Sequence, residues 1–132
     1  MSNQFNVGSE YRHTFTITQQ QVDAFAEVSG DKNPIHLDAE FASSTRFGKR
    51  IIHGIFGASI ISYVMGMHFP GPGSVYLKQN LEFKRPMFPD VTYEGVFIVK
   101  AIDDKRRATV QTNIYDKATG KICTEGEALI ML

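Results

Sequence analysis

Tryptophan is absent from the chain, and cysteine occurs once, at Cys123. A single thiol excludes an internal disulfide and suits a reducing compartment. Neither sign of charge is in excess: 14 Lys and Arg are matched by 14 Asp and Glu, for a formal net charge of zero. That balance argues against a nucleic-acid binder, which would carry a basic excess on one face. It also leaves little charge to keep copies of the chain apart. No apolar run reaches the length of a membrane span. The opening Met1-Ser2-Asn3-Gln4-Phe5-Asn6 lacks the basic-then-apolar pattern of a secretion signal. Repeats and low-complexity segments are also missing. A cytoplasmic protein with no nucleic-acid or membrane partner is expected.

What is present suits one globular domain over residues 1–132, with 42% hydrophobic residues to build a core. Residues 11–17 alternate loosely, as a strand does. Thr18-Gln19-Gln20-Gln21 has the form of a capping box. Val22, Phe25 and Ala26 continue at helical spacing until Gly30 stops the helix. Asp38 is placed to cap a short helix through Ala42, and residues 43–50 read as a polar surface connection in which Phe47 must bury. From Gly54 to Met67 nearly every position is apolar or small, which predicts a buried helix that the rest of the chain must wrap. Four strands follow, at 74–83, 91–102, 108–116 and 122–131. Short links predict that consecutive strands are antiparallel neighbours. The expected class is α+β: a five-stranded antiparallel sheet curled around one long central helix.

The segment Ser29-Gly30-Asp31-Lys32-Asn33-Pro34-Ile35-His36-Leu37-Asp38 sets a carboxylate, an amide and an imidazole around a stiffening proline. Such a loop can hold a water molecule and move its protons. Ile51-Ile52-His53-Gly54 then opens the central helix, where the Gly54 N–H has no partner inside the helix and stands at the positive end of its dipole. An enoyl thioester needs this set of groups. Asp31 is the candidate base, His36 the proton donor or water anchor, and Asn33 a further hydrogen bond to the water. The Gly54 amide is the candidate donor to a developing oxyanion.

These residues and spacings resemble the hydratase motif of the (R)-specific enoyl-CoA hydratases, also called MaoC-like dehydratases or hydratase 2. The resemblance spans nearly the whole chain. It implies the hot dog fold and hydration of a trans-2-enoyl thioester, carried by CoA or a carrier protein, to the (R)-3-hydroxyacyl thioester. It also implies a homodimer with the acyl tunnel at or near the interface. Carried over by position, Asp31 and His36 match the catalytic dyad, Asn33 helps hold water, Gly54 binds the thioester oxygen, and Ser62 is a supporting serine. One departure stands at Phe83-Lys84-Arg85-Pro86-Met87-Phe88-Pro89-Asp90, where Pro89 replaces a turn glycine, so the turn cannot use positive φ there.

Plainer roles exist for each residue. Asp31 and His36 can simply stabilise a loop, and Ser62 can bond back to a carbonyl one turn earlier. Gly54 can serve close packing. For His53 packing or capping is favoured over contact with substrate. No metal and no cofactor are expected, since a metal would need His36, His53 and acids in one shell. Arg46, Lys49, Arg50, Lys78, Lys84 and Arg85 can meet phosphates or an acidic carrier, or form a solvated face. Phe56, Met65, Met67 and Met87 are candidates for the tunnel wall. Two other functions compete with hydration: a hot dog thioesterase, disfavoured because the central helix carries no Asp or Glu, and a non-catalytic acyl-thioester binder, which should have lost Asp31 or His36.

Overall fold

Strand β1 (Glu10–Thr16) opens the chain, followed by α1 (Gln19–Ser29), the short helices α2 (Pro34–Leu37) and α3 (Ala39–Ser43), and the long α4 (Gly54–Met67). Strands β2 (Val75–Phe83), β3 (Thr92–Ile102), β4 (Arg107–Asp116) and β5 (Ile122–Met131) complete it. The computed structural model describes residues 4–132. All five strands form one antiparallel sheet in the order β1-β3-β4-β5-β2.

The sheet and α4 bury each other through matching periodicities. Along β4, Ala108, Val110, Thr112 and Ile114 recur every second residue and are fully enclosed. From α4 the stripe Gly57, Ala58, Ile61, Val64 and Met65 enters the same core. Enclosing a side chain such as Ile61 or Ile114 contributes about 1.5–3 kcal/mol. The helix is not buried on every side, contrary to the expectation from its composition. Ile55, Tyr63 and Met67 are 59%, 45% and 57% exposed. One curved sheet encloses only one face of a cylinder, so the opposite face of α4 stays open.

Consecutive strands pair as expected at β3–β4 and β4–β5, but not at β2–β3. β2 lies against β5, and β3 against β1. The link between β2 and β3 is no hairpin because its backbone is committed elsewhere. The amides of Lys84 and Arg85 both donate to the Cys123 carbonyl on β5, while Asp90 N–H donates to Ile17 O at the far side. Midway, Met87 O accepts from Ile52 N–H, tying the link to the segment that leads into α4. The left-handed residue of this crossing is Asp90, at φ 67°, one position beyond the proline that excludes it.

Candidate active site

Local signals place the loop between α1 and α2. Thr18 Oγ1 accepts from Gln21 N–H at 3.1 Å, and the Gln21 side chain accepts from Thr18 N–H at 2.9 Å, completing the capping box. Gly30 ends α1 at φ 82°, a left-handed conformation that glycine adopts without strain. The chain leaves on a set of short bonds. Asp31 N–H donates to Ser29 Oγ at 3.1 Å, Asn33 N–H to Asp31 Oδ1 at 3.3 Å, and Ile35 N–H to Asn33 Oδ1 at 3.2 Å. Asn33 thus caps α2, with Pro34 in its first turn. Gln19 Nε2 donates to the His36 carbonyl at 2.8 Å and fastens α2 to α1.

His36 is only 8% exposed. Its Nδ1–H donates to the Ile51 carbonyl at 2.8 Å, because a carbonyl can only accept. In the neutral ring this leaves the lone pair on Nε2. Burial holds the imidazole below the ordinary histidine range and His53 adds to this, while the Ile51 carbonyl and Asp31 pull the other way. Neutral His36 is therefore an acceptor. Of the two roles expected for it, water anchor fits better than proton donor.

His53 is 2% exposed and stands at the head of α4 without capping it. Its Nε2–H donates to the Asp31 carbonyl at 3.0 Å. Its face stacks on His36, with centroids 3.8 Å apart and planes 25° apart. Phe25 meets it edge-on at 4.8 Å and is itself stacked on Phe56 at 4.7 Å. The remaining nitrogen, Nδ1, is buried without a partner. Such an atom costs about 1–3 kcal/mol.

Asp31, His36 and His53 each bring a ligand-type atom within 4.8 Å of the others. Stacking works against a shared metal ion. Imidazole lone pairs lie in the ring planes, and two nearly parallel planes 3.8 Å apart do not converge on one ion at the usual ~2.0–2.1 Å.

The carboxylate, both imidazoles and Gly54 line one open cavity of about 420 Å³. Ile52, Ile55, Phe83 and Met87 supply apolar lining, Thr124 a buried hydroxyl, and Arg46, Lys84 and Arg85 stand on the same lining. Gly54 is the first residue of α4, and its φ is not positive. A side chain there would stand 3.0 Å from the Phe83 ring. Close packing and a free N–H thus coexist at this glycine.

Two expected site residues are not part of this lining. Asn33 is exposed, with its side-chain oxygen engaged as the cap of α2. Ser62 is exposed on the open face of α4, and the back-bond to a helix carbonyl is made instead by Ser59, to Phe56 O at 2.6 Å. Of the tunnel candidates, Met87 lines the cavity, with its sulfur 3.0 Å from where a Gly57 side chain would begin. Met65 lies in the core, Met67 is exposed, and Phe56 backs Phe25. Phe47 is half-buried beneath the Arg46 guanidinium. The sequence reading missed the Ile51 carbonyl, Phe25 and Phe83. A backbone acceptor leaves no mark in sequence, but the helical spacing of Val22, Phe25 and Ala26 did place Phe25 on a packing face.

A five-stranded antiparallel sheet around one helix, with an acid–imidazole loop at the helix head, defines a hot dog domain of the hydratase type. The MaoC like domain family matches residues 2–121, and the chain belongs to that family. It is 41% identical over 128 residues to an (R)-specific enoyl-CoA hydratase of Aeromonas caviae, covering 96% of this chain and 94% of that protein. It is 40% identical over 115 residues to a 3-hydroxybutyryl-CoA dehydratase of Methylorubrum extorquens, covering 86% of this chain and 72% of the relative. The solved structure of an (R)-hydratase from A. caviae involved in PHA biosynthesis superposes with a TM-score of 0.93 at 38% identity, covering 99% of both chains.

Proposed function

We propose that the protein reversibly hydrates trans-2-enoyl-CoA, or another enoyl thioester, to the (R)-3-hydroxyacyl thioester. The observation that carries the reading is the shared cavity, whose lining includes Asp31, His36 and Gly54, with ligand-type atoms of Asp31 and His36 within 4.8 Å of each other. Both dyad members accept hydrogen bonds, so a water between them can aim a lone pair at the β-carbon of the alkene. Asp31 takes one water proton as the oxygen bonds to Cβ, and His36 Nε2 holds the second hydrogen. The alkene electrons move onto the α-carbon and the thioester oxygen, where the Gly54 N–H donates. The proton on Asp31 then goes to the α-carbon, which balances the addition. No cofactor is required for these steps.

The (R) outcome follows the relatives, whose names specify that hand. Arg46, Lys84 and Arg85 at the cavity suit the phosphates of a CoA or carrier-protein thioester. Asn33 and Ser62 enter only if loading of substrate or pairing of two copies brings them nearer. Hydration is favoured over the thioesterase because α4 offers no carboxylate to drive hydrolysis. Crotonyl-CoA decides among the readings. Loss of absorbance of the conjugated alkene marks the hydratase, release of free thiol the thioesterase, and silence in both signals a binder.

A further inference from the structure

We infer that His53 is a positioning residue for the Asp31–His36 pair, holding the Asp31 backbone with one ring edge and fixing the plane of His36 with its face. The inference rests on reading that pair as the groups that activate water. Three observations exclude the plainer roles. His53 does not cap α4, since its side chain bonds no helix amide. It is not simple core filling, since an apolar residue would avoid the buried, unpartnered Nδ1. Nor do its ring and that of His36 converge on a metal, because they are stacked face to face.

What the ring does is visible at its other nitrogen. Asp31 is exposed and lies between a left-handed glycine and a proline, in a stretch with no helix or strand of its own. Its N–H is held by Ser29 and its carboxylate by the Asn33 amide, both within two residues along the chain. The bond from His53 Nε2–H to the Asp31 carbonyl, at 3.0 Å, ties this loop to the head of α4, 22 residues away. The same helix head carries the Gly54 amide. One side chain thereby sets the distance between the base and the oxyanion donor.

The face of the ring acts on His36. The Ile51 bond fixes one edge of that imidazole, and the stack 3.8 Å above it stops rotation about the bond. Together they determine where Nε2 points. The titratable groups that act on His36 are Asp31 from the α1–α2 loop and His53 just ahead of α4, while Arg46 from the connection before α4 and Lys84 and Arg85 from the segment after β2 line the same cavity. Among these, Asp31 favours a charged His36 and His53 opposes it.

Two substitutions separate edge from face. Glutamine places its amide nitrogen near the position of the imidazole Nε2, so His53→Gln keeps the donor to Asp31 O and loses the ring. His53→Phe keeps the ring and loses the donor. Each is assayed with crotonyl-CoA for kcat, KM and the pH profile of kcat/KM, beside wild type and Asp31→Asn. Misplacing a reacting group by about 1 Å can cost on the order of 10²-fold, and a kcat loss of that order with unchanged KM is expected for His53→Phe. His53→Gln should keep more turnover than His53→Phe. Its acid limb should move to higher pH, because His36 no longer faces a second imidazole. Wild-type kcat and an unmoved acid limb in both variants, with Asp31→Asn inactive, would overturn the role of His53 alone. Full turnover in Asp31→Asn would instead remove the dyad on which it rests. Failure of both His53 variants to fold would assign the residue to the core and also overturn the inference.

Discussion

In the proposed mechanism Asp31 and His36 divide the work because their surroundings differ. The carboxylate is exposed and bonded to a backbone amide, while the imidazole is enclosed and bonded to a carbonyl. Asp31→Asn keeps the size of the side chain and its acceptor for the Asn33 amide but removes the base. Losing general base catalysis typically costs ~10²–10⁴-fold. The expected protein is folded, with hydration of crotonyl-CoA reduced by that order, and normal turnover would sink the mechanism.

The direction of the His36 shift gives a second test at this scale. Folding lowers its affinity for a proton relative to the ordinary value of 6.5, chiefly by burial. As pH falls through about 6.5 the unfolded chain binds the proton first, so stability declines from there until folded His36 protonates as well. Above that range the contribution is constant. His13, lowered by burial and by His68, adds to the same slope. Urea unfolding measured from pH 7.5 down to 5 should show the decline, and His36→Gln should flatten part of it. A His36→Gln protein with the unaltered slope would place the titration elsewhere.

At the scale of elements, much was legible because the signals are local. Thr18 with Gln21, Gly30, and Asp38 ahead of α3 are capping chemistry, read from residue type and spacing. Each strand was expected within one residue of its observed ends. The reading of 31–38 as an irregular loop overlooked α2, although Asn33 before Pro34 is a helix start in its own right. What stayed hidden is non-local. The route of the β2–β3 link depends on carbonyls of Cys123 and Ile17, and the orientation of His36 on the carbonyl of Ile51. That Asp31 and His36 share one cavity was therefore legible, and the groups that orient them were not.

The head of α4 supports a sharper test than sequence alone allowed. Gly54→Pro deletes the N–H of a first-turn residue, where proline is tolerated. The preceding His53, at ψ 129°, already has the extended backbone that proline demands of its neighbour. Gly54→Ala is the control, and positive φ does not confound it. Both variants add a Cβ that meets the Phe83 ring at 3.0 Å, so both should be made with and without Phe83→Leu. Losing an oxyanion donor typically costs ~10²–10³ in turnover. The expected result is a folded Gly54→Pro protein slower than Gly54→Ala by that order in either background. Equal turnover in folded variants would withdraw the Gly54 amide from the mechanism.

For the whole molecule, the two sheet edges differ. The β1 edge carries charge, with Arg12 bridging Glu10 and Glu94 at 3.0 Å each. The β2 edge is open and exposes large apolar side chains beside Lys78, Asn80 and Glu82: Val75, Tyr76, Leu77 and Phe83 are 52%, 40%, 43% and 52% exposed. Unpaired strand groups beside exposed apolar side chains invite a further strand. The open face of α4, with Ile55, Tyr63 and Met67, adds more apolar surface. We propose that a second copy covers both through a two-fold axis, with β2 against its counterpart. Phe83 and Ile55 line the cavity and stand on these same surfaces, so pairing would also shape the acyl site. A stable interface needs roughly 800 Å² from each partner, which a nine-residue strand and one helix face can supply. Light scattering at micromolar protein should give about twice the 14.8 kDa of one chain. Leu77→Glu, which puts a carboxylate into the apolar surface that pairing would bury, should shift the protein toward monomer and lower its turnover together. A wild-type monomer with full activity would contradict both the pairing and a site at the interface.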